Sequence, residues 1–255
     1  MTVTLGILGV GHMTGAMVEG WGRLPQAERP HFLLSPRNAQ KAQALAAALG
    51  CDVMAGNAEV VAKSDIVLLG VRPGQVQEAF EGLPWREGQL ALSVIAGVKR
   101  SQLEALVAPA KVVRAMPVTA CAFGESANAL FPADPSAKAL MSSLGAVSEL
   151  DDEEAFDRLA VHGCTYGWLL SLLDDVARWS IEAGIPPETA RRHVAQTFRA
   201  AGTTALEDSR PVKELVEELG SPGSFTRKGL ETLRAESYFG PWQAALERIR
   251  KEYEA

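Results

Sequence analysis

Short apolar runs alternate with helix-like stretches through the first half of this chain, and that alternation narrows the folds open to it. Apolar runs occupy residues 3–9, 31–34, 51–54, 65–71, 90–95 and 111–116. Between most of them lie helical patterns, at 13–23, 38–49, 58–63, 75–80 and 101–106. Strands that are apolar on both faces and separated by helices predict a parallel sheet covered on both sides. Residues 1–150 therefore read as one doubly wound α/β domain.

From residue 151 onward the pattern changes to helices alone. Asp151-Asp152-Glu153-Glu154 opens the first, its acids opposing the positive end of the helix dipole. Further helices are expected at 166–183, 187–208, 211–219, 224–235 and 239–253, punctuated by Pro186-Pro187 and Ser221-Pro222-Gly223. The 166–181 helix carries Trp168, Leu169, Leu170, Leu172, Leu173, Val176, Trp179 and Ile181. Apolar around most of its circumference, it is expected to be buried, against other helices or between subunits. The chain thus divides into a sheet domain (1–150) and an all-α domain (151–255).

Composition excludes several classes. The 255 residues carry 25 Lys and Arg against 31 Asp and Glu, a net charge of −6, which disfavours binding to nucleic acid. The longest apolar runs, 66–71 and 90–98, are about half of the ~20 residues that a spanning helix needs. No basic region precedes the first apolar run, so no secretory signal is expected and the cytoplasm is the expected location. Three widely spaced cysteines without a CxxC pair or a His/Cys cluster argue against a zinc site or a disulfide scaffold.

The densest local motif is Gly9-Val10-Gly11-His12-Met13-Thr14, between the first strand and the first helix. Two glycines permit a tight turn and close approach of a pyrophosphate to backbone N–H groups, and the helix dipole favours the negative charge. Thr14 replaces the third glycine of the usual fingerprint, followed by Gly15 and Ala16. In this context the turn reads as a dinucleotide site, so the first domain is expected to be Rossmann-like. The second strand ends Ser35-Pro36-Arg37-Asn38, with no acid to take the ribose 2′-hydroxyl of NAD. Ser35 and Arg37 suit the 2′-phosphate of NADP, the other reading being a surface arginine near a helix start.

Six pieces, in order, resemble the 1-pyrroline-5-carboxylate reductase family. They are the glycine turn through Ala16, Asn57, Val71-Arg72-Pro73, Ser93-Val94-Ile95-Ala96-Gly97-Val98, Arg114-Ala115-Met116-Pro117-Val118-Thr119 and Ser221-Pro222-Gly223-Ser224-Phe225-Thr226. The resemblance spans nearly the whole chain. It implies a Rossmann-like domain followed by an all-α dimerisation and substrate domain, and a homodimer or higher homo-oligomer. The implied activity is NADPH-dependent reduction of the cyclic imine 1-pyrroline-5-carboxylate to L-proline. It further implies that Gly9, Gly11, His12, Met13, Asn57, Val71, Arg72, Pro73, Ala96 and Gly97 bind the cofactor, beside the Ser35 and Arg37 read from the end of the second strand. Ser221, Gly223, Ser224 and Phe225 would bind substrate, and the Thr226 hydroxyl would hydrogen-bond the ring nitrogen. No metal is implied.

Departures concentrate in the substrate half. Where the family has Ser-Gly-Ser-Gly-Pro-Ala-Tyr, this chain has His162-Gly163-Cys164-Thr165-Tyr166-Gly167-Trp168. Val118 stands for the family's Asn, Ala120 for its Pro and Ser224 for its second loop Gly. A reductase of a related cyclic imine or keto acid, or a non-catalytic NADP-binding relative, therefore stays open. From the residues alone, Ser221 also reads as a helix N-cap with Pro222 as the first helical residue. Arg72 and Arg114 lie near strand ends, where open sheets place ligands. His12 reads as a pyrophosphate contact or a solvent-facing residue, and His162 as a pocket group, proton donor or helix-end residue. His193 reads as solvated, Cys164 as a small buried residue, and Trp168 and Trp179 as core or subunit-contact residues.

Overall fold

The computed structural model describes residues 3–254. Strand β1 (Thr4–Leu8), helix α1 (His12–Gly22), β2 (His31–Leu34), α2 (Ala39–Leu49), β3 (Asp52–Val53), α3 (Asn57–Lys63), β4 (Ile66–Leu69), α4 (Val76–Phe80), β5 (Leu90–Ser93), α5 (Arg100–Val107) and β6 (Lys111–Met116) come in alternation. Among the described residues eight strands form one sheet, in the order β3-β2-β1-β4-β5-β6-β7-β8, with β7 at Ser126–Phe131 and β8 at Gly145–Glu149. The pairs from β3 to β6 are all parallel.

Both faces of the sheet are covered. On β4, Ile66 and Leu68 join a core with Leu5, Ile7, Trp21 and Phe32, while Val67 and Leu69 join another with Leu33, Val60, Phe80 and Val112. Side chains along a strand point alternately to opposite faces, so a run apolar at every position supplies both cores. Local chemistry places the helix ends. Asn38 caps α2 through the Lys41 N–H, and Gly50 closes it in a left-handed conformation at φ 71°.

Residues 117–150 extend the sheet, which their sequence pattern does not predict. β7 pairs antiparallel with β6, then β8 pairs parallel with β7 after α6 (Pro135–Ser142). Only residues 117–125, including a 3-10 turn at Thr119–Phe123, join β6 to β7. A parallel crossover needs a dozen or more residues, so this connection reverses the chain. Helix α1 anchors the extension. A Cβ on Gly20 would lie 2.2 Å from the Cys121 carbonyl oxygen, and the Trp21 indole N–H donates to the Leu140 carbonyl at 3.0 Å.

The remainder is helical: α7 (Glu153–Ala160), α8 (His162–Glu182), α9 (Pro187–Glu207), α10 (Val212–Leu219), α11 (Phe225–Ala235) and α12 (Phe239–Glu254). Asp152 caps α7 by accepting the Ala155 N–H at 2.7 Å. In the single chain α8 is not enclosed: Leu169, Leu170, Leu172, Val176 and Ile181 are exposed, and Trp179 is 69% exposed. Trp168 instead packs edge-on against Trp242, ring centroids 5.9 Å apart. The chain forms two compact units, one through Gly163 and again from Glu252, the other Cys164–Lys251. Among the described residues no helix is long and apolar enough to cross a membrane.

Candidate functional site

The strand order reverses direction of growth between β1 and β4, and open parallel sheets bind ligands at such a point, beyond the carboxyl ends of the strands. Gly9 lies there at φ +91°, facing Gly70 at the end of β4. A Cβ on Gly9 would sit 2.8 Å from the Gly70 carbonyl oxygen and 2.9 Å from Val71 Cγ1. The Thr14 hydroxyl locks the turn, donating to the Gly9 carbonyl at 2.7 Å and accepting the Gly11 N–H at 2.8 Å. Thr14 also fills the space over Gly70, where a Cβ would meet its Cγ2 at 2.1 Å. The absent third glycine is thus matched by a glycine on β4's far end.

Gly11 caps α1 and offers no side-chain oxygen, so the first-turn N–H groups at His12 and Met13 remain for an external acceptor. The space over Gly11 is open, the nearest atoms to a Cβ there being 4.0 Å away. An open glycine-lined turn at a helix N-terminus, at the switch point, fits the pyrophosphate of a dinucleotide. His12 is exposed and Met13 half-buried.

Around this turn the other expected cofactor residues fall into different roles. Ser35 is 1% exposed and its hydroxyl accepts the Gly9 N–H at 3.0 Å. It therefore holds the turn rather than standing in the open as a phosphate ligand. Arg37 is exposed beyond β2. Its neighbour Asn38, not singled out from the sequence, donates to the Val10 carbonyl at 3.0 Å and ties the start of α2 to the turn. The sequence pattern runs the helix from residue 38, whereas Asn38 is the cap and α2 begins at Ala39. The Asn57 amide, half-buried at the start of α3, donates to the Ala79 carbonyl at 3.2 Å. Val71 is half-buried, and Arg72 and Pro73 are exposed beyond β4.

Ala96 and Gly97 are exposed beyond β5, Gly97 at φ +71°. Two contacts pin the start of α5 to α7. Lys99 Nζ donates to Asp157 Oδ2 at 2.5 Å, and the Arg100 N–H donates to Glu153 Oε1 at 2.7 Å. The same carboxylates receive Arg114, at 2.6 Å to Glu153 and 2.9 Å to Asp157, with the guanidinium 4.4 Å from the Phe156 ring centroid. This corrects the view of Arg114 as a residue at a ligand-facing strand end. It is 1% exposed and joins β6 to α7 within the protein.

In the helical unit, Ser221–Ser224 forms a turn closed by the Ser224 N–H on the Ser221 carbonyl at 3.1 Å. Pro222 and Gly223 occupy its centre, Gly223 at φ +84°, as a type II turn requires. The helix cap is Ser224, not Ser221: its hydroxyl accepts the Arg227 N–H at 3.2 Å, so Pro222 stands before the helix rather than inside it. Phe225 and Thr226 open α11, both exposed, Phe225 at 90%. The Lys228 ammonium lies 5.4 Å from the Phe225 ring centroid.

His162 is exposed at the start of α8 and lines, with Met116, Val118, Asn128, Ser148 and Gly163, a cavity of about 260 Å³. Cys164 is half-buried, whereas burial pushes the Cys51 and Cys121 thiols up to about 11, which suppresses the reactive thiolate. His193 is exposed on α9. Among the described residues no group of three His, Cys, Asp or Glu is placed to hold a metal ion.

A doubly wound sheet with this turn, followed by a helical unit, defines the class of dinucleotide-dependent oxidoreductases. Residues 4–97 match the family model described as NADP oxidoreductase coenzyme F420-dependent, and residues 153–255 the model described as pyrroline-5-carboxylate reductase dimerisation. The pyrroline-5-carboxylate reductase of Pseudomonas aeruginosa is 29% identical over 93% of this chain and 90% of its own length. That of Pisum sativum is 25% identical over the same shares. The fold is shared with the 1-pyrroline-5-carboxylate reductase of Streptococcus pyogenes, at TM-score 0.86 and 21% identity, covering 99% of this chain and 98% of the other. It is likewise shared with the NADP-bound Plasmodium falciparum pyrroline carboxylate reductase, at TM-score 0.83 and 21% identity, covering 98% and 97%. The chain is thus similar to pyrroline-5-carboxylate reductases over nearly its whole length, and its helical half matches that family's dimerisation model.

Proposed function

We propose that this protein reduces 1-pyrroline-5-carboxylate to L-proline with NADPH, in the cytoplasm and as a homodimer. The observation that carries the reading is the open Gly9–Gly11 turn at the β1/β4 switch point, on a chain whose helical half matches the family's dimerisation model. The expected boundary at 150 moves past α7, which packs on the sheet through Arg114: residues up to Gly163 form the cofactor domain and Cys164–Lys251 the dimerisation and substrate domain. The exposed apolar side chains of α8 support subunit contact, because a patch of that kind is costly in water.

Bound NADPH supplies the hydride that reduces a C=N carbon. The chain's own residues bind and orient. The N–H groups of His12 and Met13 would hold the pyrophosphate, with Gly9 and Gly11 giving it room to approach, and Arg37 the 2′-phosphate. Asn57 and residues 71–73 would flank the nucleotide, with Ala96 and Gly97 beside the nicotinamide end. The turn at Ser221, Gly223 and Ser224, with the opening N–H groups of α11 at Phe225 and Thr226, would receive the substrate carboxylate. The Thr226 hydroxyl would hold the ring nitrogen by a hydrogen bond as that atom gains its proton.

NADPH consumption followed at 340 nm with the pyrroline acid tests the reading; measurable NADPH binding with no turnover above background removes the substrate assignment. Thr226→Ala is expected to lower kcat about 10- to 100-fold, the loss of one hydrogen bond to a developing charge, with the NADPH dissociation constant unchanged. An unchanged kcat would remove the role given to Thr226. Arg37→Ala is expected to raise the NADPH dissociation constant at least about tenfold and that of NADH less than about twofold, since only NADPH carries the 2′-phosphate. Equal effects on both would contradict the NADP assignment. One observation favours a related cyclic imine as a second reading: Phe225 sets a large aromatic ring, 90% exposed, in the substrate loop. Comparing kcat/KM for the five-membered pyrroline acid with larger or more apolar cyclic imines separates the two.

A further inference from the structure

We propose that Lys41 acts with Arg37 to select a 2′-phosphorylated nicotinamide dinucleotide, and that Gly15 is a glycine because this lysine lies across it. The inference rests on the cofactor assignment above and adds a specificity-determining residue to it. Lys41 is the third residue of α2, its N–H held by Asn38 Oδ1 at 3.4 Å, while the Asn38 amide holds the glycine turn through Val10. From there its side chain crosses to α1. The three atoms nearest to a Cβ built on Gly15 all belong to it: Cε at 2.7 Å, Nζ at 3.0 Å and Cδ at 3.8 Å. The ammonium is therefore placed beside the first turns of α1, next to the pyrophosphate-binding turn.

The surroundings supply little to neutralise it. From Ser35 to Gly50 the chain contains no Asp or Glu. Among the described residues no carboxylate pairs with Lys41 within 4.0 Å, although Glu19 lines the same groove between α1 and α2, together with Arg23. The N-terminal ends of both helices are themselves positive. A half-buried ammonium gains nothing from two positive helix ends, whereas a dianion placed among them gains from all three. In doubly wound dinucleotide folds the adenosine ribose lies at the end of the second strand, where Arg37 and α2 begin. A phosphate monoester carries about −1.5 to −2 charge there at neutral pH, and a free 2′-hydroxyl carries none.

The test is equilibrium binding to the purified full chain, by calorimetry or nicotinamide fluorescence, with NADPH, NADH, 2′,5′-ADP and 5′-AMP as probes. Lys41→Ala is expected to raise the dissociation constants of NADPH and 2′,5′-ADP by about tenfold or more, as loss of one charge-assisted contact would, with those of NADH and 5′-AMP changing less than about twofold. Gly15→Ala keeps the charge but displaces the ammonium. Because the atoms it meets are the flexible end of a lysine, the helix remains formed while part of the phosphate preference is lost. Lys41→Arg is expected to retain the preference. Equal weakening of phosphorylated and unphosphorylated probes, or an unchanged NADPH constant in Lys41→Ala, would overturn the lysine assignment while leaving the cofactor reading standing. A wild-type chain that binds none of the four probes would overturn both.

Discussion

Replacing Asp157 with alanine is expected to lower folding stability by about 3 kcal/mol, the cost of leaving one buried charge without its partner. Asp157 is 5% exposed and Arg114 is 1% exposed, with 2.9 Å between their charged atoms. Arg114 cannot shed its charge, and its Nε already lacks a partner. Glu153 remains at 2.6 Å, which holds the loss to the lower end of the range for a broken buried pair. The cost also reaches the cofactor side, because Asp157 holds Lys99, two residues after the exposed Ala96-Gly97 segment. Denaturant unfolding at fixed protomer concentration measures the effect. The double variant Arg114→Met, Asp157→Leu should recover most of the stability, since an apolar pair of similar size replaces the buried ions. A loss below about 0.5 kcal/mol for the single variant would show that water or Glu153 already satisfies Arg114.

Gly9→Ala is expected to weaken NADPH binding about 100-fold. At φ +91° an L side chain is strained by about 1–3 kcal/mol. Its Cβ would also press on the Gly70 carbonyl oxygen at 2.8 Å and on Val71 at 2.9 Å. Backbone at the end of β4 cannot swing aside as a lysine tip can, so the ends of β1 and β4 must separate. That separation disturbs the Thr14 bonds that shape the turn. Isothermal calorimetry with NADPH measures the loss; a dissociation constant within threefold of wild type would show that the turn tolerates a side chain and that its geometry is not what holds the pyrophosphate.

Much of this architecture is legible along the chain because its causes are local. β2 and β6 coincide with apolar runs at 31–34 and 111–116, and α9 begins at Pro187 as its proline at N1 predicts. Residues 117–150 were illegible for the opposite reason. β8 has no fully buried residue and β7 carries Ser126 and Asn128 in its interior, so neither shows the apolar run that marked the earlier strands. The apolar circumference of α8 predicts burial but does not say which chain provides it; in the single chain only Ala177 is buried on that helix.

Within the candidate site the division runs along the same line. Gly9, Gly11 and the Ser-Pro-Gly turn could be read directly, since tight turns, positive φ and open helix starts depend on residues within a few positions of one another. Ser35, Asn38, Lys41 and Arg114 could not be assigned their parts that way. Ser35 meets Gly9 across 26 residues, Asn38 meets Val10 across 28, and Arg114 meets Asp157 across 43. Short-range periodicity and turn preference thus settled the order of elements and the place of the glycine crevice. Which polar side chain faces the crevice, which one props it and which one is sealed in the interior was decided only when the sheet brought distant residues together, because hydrogen bonds and ion pairs act over a few ångströms of space whatever the separation along the chain.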